Sequence, residues 1–254
     1  MPELTLIVPF EVPPGQEEDM RRQWHAVAEP LSQAPGFISA RLYAVDHELE
    51  QYLADKQGLR WLEQRPQGRA RFSFVNIARW ESLERYEAAI RQPSRGKPIA
   101  YPNYPAYYRL ARLTGVSAGE SMAWQPASKS AFTFIVPFAV PTGQEEEMRR
   151  QFSAIVTSME EIGRPPGSFG PGLLELDPQV EARLRNFLSE QLGQQESRPE
   201  FNFFNIAEWE SPERYVAAIQ AMHSRTRPIS FTSFPAYYRV VGAYSGPGKG
   251  AETA

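Results

Sequence analysis

Apolar and polar positions alternate along this chain with two periods. Leu4, Leu6, Val8 and Phe10 fall on every second residue, the period of a half-buried strand, and Phe132, Phe134, Val136 and Phe138 repeat it. The period then lengthens. Met20, Trp24, Val27 and Leu31 stand at i, i+4, i+7 and i+11, the apolar stripe of a helix, and so do Met148, Phe152, Ile155 and Met159. Breaks at Pro35-Gly36 and Pro166-Gly167 precede a second strand, expected over Ala40 to Val45 and Gly172 to Leu176. An extra amphipathic segment follows, with Val180, Leu184, Phe187 and Leu188 on one helical face and Leu49, Tyr52 and Leu53 suggesting the same in the first half. A third strand is expected over Phe72 to Ala78 and Phe201 to Ala207. The next helix starts at an N-cap, Ser82 or Ser211, with Pro212 in a first turn that has no use for its missing N–H. A last strand runs through Tyr107-Tyr108-Arg109-Leu110.

The pattern occurs twice because the sequence does. Val8-Pro9-Phe10 returns as Val136-Pro137-Phe138, and Gly15-Gln16-Glu17-Glu18 as Gly143-Gln144-Glu145-Glu146, about 128 residues on. Asn76-Ile77-Ala78 with Trp80-Glu81-Ser82 maps onto Asn205-Ile206-Ala207 with Trp209-Glu210-Ser211. Pro105-Ala106-Tyr107-Tyr108-Arg109 maps onto Pro235-Ala236-Tyr237-Tyr238-Arg239. The expected organisation is a first ferredoxin-like unit over 1–117, a Ser/Ala/Gly-rich linker over 118–130, a second unit over 131–247 and a disordered tail over 248–254. The fold class is α+β, with order β-α-β-(α)-β-α-β in each unit. One such unit leaves a sheet face bare, so two in one chain are expected to pack sheet to sheet as an intrachain barrel. The copies differ at Trp24 against Phe152 and His25 against Ser153, which suggests that any two pockets differ too.

Composition narrows the partners. A net charge of -3 and a pI near 5.8 supply no positive field for nucleic acid or an anionic membrane, so a small molecule or a protein is the expected partner. RNA-recognition domains share the β-α-β-β-α-β order, and Arg71-Phe72-Ser73-Phe74-Val75 partly matches their aromatic strand, but the glycine and the basic field are lacking. With no cysteine, thiolate nucleophiles, thiolate metal sites and disulfides are excluded. His25, His47 and His223 are scattered, which disfavours a metal site, and no nucleotide-binding glycine motif is present. No run of 18 apolar residues occurs and no leader pattern opens the chain, so a cytoplasmic location is expected.

The chemically informative residue is Asn76, with its repeat Asn205. Period-two alternation puts Phe72, Phe74 and Asn76 on one strand face. Asn is disfavoured in strands, and burying its amide without partners costs about 1–3 kcal/mol. Either it bonds to backbone at a strand irregularity while Trp80 and Trp209 fill core, or amide and indole N–H hold a phenol or quinone oxygen. Tyr86 shares the apolar face of its helix with Leu83 and Ile90, so packing explains it, with or without a ligand.

The run Phe74-Val75-Asn76-Ile77-Ala78-Arg79-Trp80-Glu81-Ser82-Leu83-Glu84-Arg85-Tyr86, echoed from Phe203 to Tyr215, resembles the signature of the antibiotic-biosynthesis monooxygenases, small dimeric α+β barrel proteins. The duplicated build further resembles the oxygenases that cleave a ring carbon–carbon bond in atypical angucycline pathways (jadomycin, gilvocarcin and kinamycin types); the extra helical segments depart from the minimal family pattern. The resemblance implies catalytic roles for Asn76, Trp80, Asn205 and Trp209. It implies substrate contacts from Tyr86, Tyr215, Phe72 and Phe74, and from a cation, for which Arg95 and Arg225, or Lys97 and Arg227, are approximate matches. It also implies a polycyclic aromatic substrate, O2 as cosubstrate, no metal, and reduced flavin (FADH2) as a diffusible electron donor unless a hydroquinone form of the substrate serves. A homodimer is compatible with it. Oxidation of an anthrone to a quinone, a nonoxidative cyclase or isomerase, and a silent scaffold are the alternatives that the same fold allows.

Overall fold

The computed structural model describes residues 3–57, 69–92, 97–111, 131–161, 168–192, 199–222 and 227–247. The segments expected as linker and tail lie outside these residues. The first unit runs β1 (Leu4–Phe10), α1 (Glu17–Ser32), β2 (Phe37–Val45), α2 (His47–Gln57), β3 (Phe74–Trp80), α3 (Leu83–Ile90) and β4 (Ala106–Leu110). The second repeats it as β5 (Phe132–Ala139), α4 (Glu145–Glu161), β6 (Ser168–Leu176), α5 (Pro178–Leu192), β7 (Phe203–Trp209), α6 (Pro212–Met222) and β9 (Ala236–Ser245), with a two-residue β8 (Thr232–Ser233) against β5. Gly15 and Gly143, with φ of 82° and 88°, make the left-handed turn that leads into α1 and α4.

All strand pairs are antiparallel, and eight strands close in the cyclic order β1-β3-β2-β9-β5-β7-β6-β4. The cross-unit seams are β2 with β9, pairing Ala44 with Arg239, and β4 with β6, pairing Arg109 with Glu175. Both sheet faces are buried. Inward residues Ile7, Val75, Ile77, Ile135, Leu174, Phe204 and Ile206 fill the barrel. Outward residues of the first unit, among them Leu6, Val8, Phe74, Ala78 and Trp80, meet α1 and α3. The expected intrachain α+β barrel is therefore the observed fold.

Three pairs of elements depart from the expectation. Strands β2 and β6 begin at Phe37 and Ser168, three and four residues earlier than expected. The third strands begin and end two residues later than expected, so Trp80 and Trp209 lie on them. Ahead of β3 the chain bends at Ser73, whose N–H donates to the Phe10 carbonyl and whose hydroxyl donates to the Val12 carbonyl. Alternation stops at that bend, so Phe72 does not share a face with Phe74 and Asn76. It turns to the barrel end with its repeat Phe201 and with Tyr104 and Phe234, around the Arg71 guanidinium. The extra helices cross over. Because β2 pairs with the other unit's β9, α2 lands on the second unit, and by the same logic α5 lands on the first: Leu49 and Leu53 pack with Trp209 and Tyr215, while Leu184 and Phe187 pack with Trp80 and Tyr86.

Candidate active site

In each unit the layer between helix and sheet gathers the third-strand Asn and Trp, the Tyr of the next helix and the first Tyr of the last strand. Strand alternation aims Asn76, Ala78 and Trp80 at the helices, and Asn205, Ala207 and Trp209 likewise. Ser82 and Ser211 start α3 and α6 by accepting from the N–H of Arg85 and Arg214, and Tyr86 and Tyr215 follow one turn later. Their positions are copied faithfully, but their hydrogen bonding is not.

In the first unit Trp24 of α1, 2% exposed, donates its Nε1–H to Asn76 Oδ1 at 2.8 Å. Trp80 packs edge-on against Phe37 and Tyr86, with ring centres 5.2 and 5.4 Å apart, and Tyr86 packs against Tyr107 at 5.5 Å. In the second unit the position of Trp24 is held by Phe152, which has no donor. There the Asn205 Oδ1 and the Trp209 Nε1 are buried and have no hydrogen-bond partner among the described residues. Trp209 packs edge-on against Tyr215 at 5.1 Å, the Tyr215 and Tyr237 hydroxyls lie 2.9 Å apart, and Phe134 stacks on Tyr237 at 4.9 Å. An open cleft of about 770 Å3, lined by Val140, Arg149, Glu175 and Phe203 among others, ends at Phe203, two residues before Asn205 on the same strand face; Asn205, Trp209, Tyr215 and Tyr237 do not line it. Its two arginines, Arg109 and Arg149, bind Glu175 at 2.8 and 2.7 Å.

Burial pushes the Tyr215 hydroxyl up to about 12, against the opposing effect of its bond with Tyr237. Burial likewise raises Tyr107 well above the ordinary tyrosine value, with Tyr86 adding to the rise. At neutral pH these hydroxyls keep their protons and serve as donors rather than bases.

The structure thus brings together Asn76, Trp80, Phe74 and Tyr86 in one layer and Asn205, Trp209 and Tyr215 in the other. Phe72 is placed elsewhere, as described above. Arg95 and Arg225 lie outside the described residues, and Lys97 and Arg227 are exposed. His25, exposed, contacts the Tyr244 hydroxyl at 3.1 Å, and His47 lies 3.8 Å from Glu50. Sequence reasoning passed over Tyr107 and Tyr237, although the repeated Tyr-Tyr pair signalled a strand that buries a ring on each face. It also passed over the cross-unit walls from α2 and α5, for which sequence carries no signal. Among the described residues no cluster of His, Asp and Glu could hold a metal, and no helix is long and apolar enough to cross a membrane.

Of the solved structures similar to this chain, an anthrone oxidase-like protein covers 99% of it and is itself covered to 96%, at 12% identity and a TM-score of 0.52. A protein provisionally named a monooxygenase, from Fusobacterium nucleatum subsp. nucleatum, gives 96% and 94% coverage at 7% identity and a TM-score of 0.49. At 12% identity the first of these establishes likeness of fold alone. No curated protein matches the sequence. Residues 4–94 match the family model described as antibiotic biosynthesis monooxygenase, a span that takes in α1, β3 and α3 of the first unit.

Proposed function

We propose that the protein is an oxygenase that uses O2 on a flat polycyclic phenol of the aromatic polyketide kind. The observation that carries this reading is the aromatic layer holding an amide acceptor and an indole donor, with both polar atoms of the second unit unpartnered among the described residues. Asn205 and Trp209 stand four residues apart on one strand face, about 13 Å by strand rise, with the small Ala207 between them. That separation suits the two ends of a fused-ring system better than one shared oxygen, and an alanine floor suits a planar face. Asn Oδ1 accepts from a phenol O–H, the indole N–H donates to a ring carbonyl or a developing oxyanion, and the rings of Phe134, Tyr215 and Tyr237 exclude water.

O2 reacts slowly with closed-shell organics, so an electron-rich phenolate or hydroquinone must give up the first electron. We assign as the reaction the insertion of one oxygen atom into a ring carbon–carbon bond of an angucycline, as the sequence resemblance suggests. The second oxygen atom leaves as water, with two electrons from reduced flavin or from a hydroquinone form of the substrate. Asn205 and Trp209 stand too far apart to meet the adjacent carbonyl and N–H groups of one flavin ring, so reduced flavin would supply electrons only. The second reading is anthrone oxidation, in which a CH2 and O2 yield a carbonyl and water with no added reductant; the anthrone oxidase-like fold neighbour makes anthrones the first compounds to try.

Oxygen consumption with anthrones and angucyclinones, with and without reduced flavin, tests this. We expect uptake with at least one compound, and a loss of about 100-fold or more in Trp209→Phe, which removes the indole N–H that meets the developing oxyanion. Ring-opened product that requires flavin supports cleavage, and quinone without flavin supports the second reading. No uptake with any compound overturns the oxygenase assignment.

A further inference from the structure

We propose that the two units are not equivalent: the second binds the flat aromatic ligand, and the first is a closed copy sealed by Trp24. The ligand class rests on the oxygenase reading above, but the asymmetry rests on hydrogen bonds and packing alone.

The first unit is closed at both ends of one side chain. Trp24 gives its only N–H to Asn76 Oδ1 at 2.8 Å, so the acceptor that would meet a phenol is already taken. The far edge of the same indole lies under Gly242 of β9, where a Cβ would stand 2.6 Å from Trp24 Cζ3. His25 and Tyr244 pack their rings on it at 5.1 and 5.6 Å. Strand β9, supplied by the second unit, therefore clamps Trp24 over Asn76.

Nothing equivalent holds the second unit among its described residues. Phe152 stands in register with Trp24 and is just as buried, at 2% exposed, but offers no hydrogen. The Asn205 Oδ1 and the Trp209 Nε1 are left buried and unpaired, and so is the hydroxyl of Ser153, in register with His25. A buried polar atom without a partner weakens the fold. An acceptor and a donor on one strand face, both buried and unpaired inside an aromatic layer, are accounted for by a ligand that supplies one of each. A planar hydroxy-quinone does that.

Calorimetric titration with 1,8-dihydroxyanthraquinone, which is already oxidised and so reports binding without turnover, decides the matter. We expect one molecule per wild-type chain. Asn205→Leu should weaken binding about tenfold or more and raise the melting temperature, because an unsatisfied acceptor has been removed. Asn76→Leu should lower the melting temperature, because the Trp24 N–H is left buried without its acceptor. Trp24→Phe frees the first amide and should raise the stoichiometry towards two. Two molecules per wild-type chain, no binding at all, or an Asn205→Leu protein that binds as wild type would overturn the proposal. If oxygen uptake fails while one molecule binds with this mutational pattern, the asymmetry stands and the oxygenase reading falls; uptake with two molecules bound per chain does the reverse.

Discussion

Tyr215 shows how burial converts a side chain into a fixed donor. Its hydroxyl sits beside that of Tyr237, and burial holds its proton up to about 12. A pKa raised in the folded state stabilises the fold fully below the ordinary tyrosine value near 10, and that stability is lost as pH rises from there through about 12, because the unfolded chain releases the proton first. Urea unfolding across that window should show a steeper alkaline loss in wild type than in Tyr215→Phe, the difference being on the order of 2 kcal/mol. Gly242 is the opposite case, a residue defined by what cannot be added. Its Cβ would meet the Trp24 ring at 2.6 Å, so Gly242→Ala is expected to destabilise by about 1–3 kcal/mol, measured by chemical denaturation, unless Trp24 gives up Asn76 to make room. Neither Trp24 nor Gly242 could be matched to its partner from sequence, since the two stand in different repeats and meet only across the β2–β9 seam.

At the scale of elements, strand and helix periods located the repeated elements, and the capping serines of α3 and α6 were legible because a cap is a local hydrogen bond. The start of β3 was not, because Ser73 is turned by bonds to Phe10 and Val12, more than sixty residues back. Helix α2 teaches the same lesson on a larger scale. Its apolar face was visible in Leu49 and Leu53, but what the face covers was not. Leu53 is fully buried against the second unit's Trp209, Tyr215 and Tyr237. Leu53→Ala should cost about 2–5 kcal/mol in a denaturation experiment and should also weaken ligand binding by the second unit, although the substitution lies in the first.

For the whole molecule, the two halves meet about a pseudo-twofold axis, and the bonds across it come in pairs. Asp46 N–H donates to the Tyr237 carbonyl at 2.9 Å and Asp177 N–H to the Tyr107 carbonyl at 3.0 Å; the Tyr238 hydroxyl donates to the Phe72 carbonyl and that of Tyr108 to the Phe201 carbonyl. Where equivalent positions face each other at the barrel end, the repeats have diverged in sign. Arg71, the counterpart of Glu200, donates to it through both terminal nitrogens, which a symmetric homodimer with Arg or Glu in both places could not do. Arg71→Glu should destabilise by about 1–3 kcal/mol, and the swap Arg71→Glu with Glu200→Arg should recover most of that in a double-mutant cycle. A fragment of residues 1–117 would bare Ile7, Val75 and Ile77 and the edges of β2 and β4, so sedimentation should find it self-associated rather than monomeric. The duplication, the α+β class and the placing of Asn76, Trp80 and Tyr86 with their repeats were written in local spacing, because alternation, helical stripes and caps are properties of neighbouring residues; Tyr107, Tyr237 and the walls from α2 and α5 were not read from it. Which strands close the barrel, which helix covers which unit, and which amide is satisfied were decided only by tertiary structure, because those contacts join residues about 50 to 220 positions apart, where sequence records the identity of each partner but not the pairing.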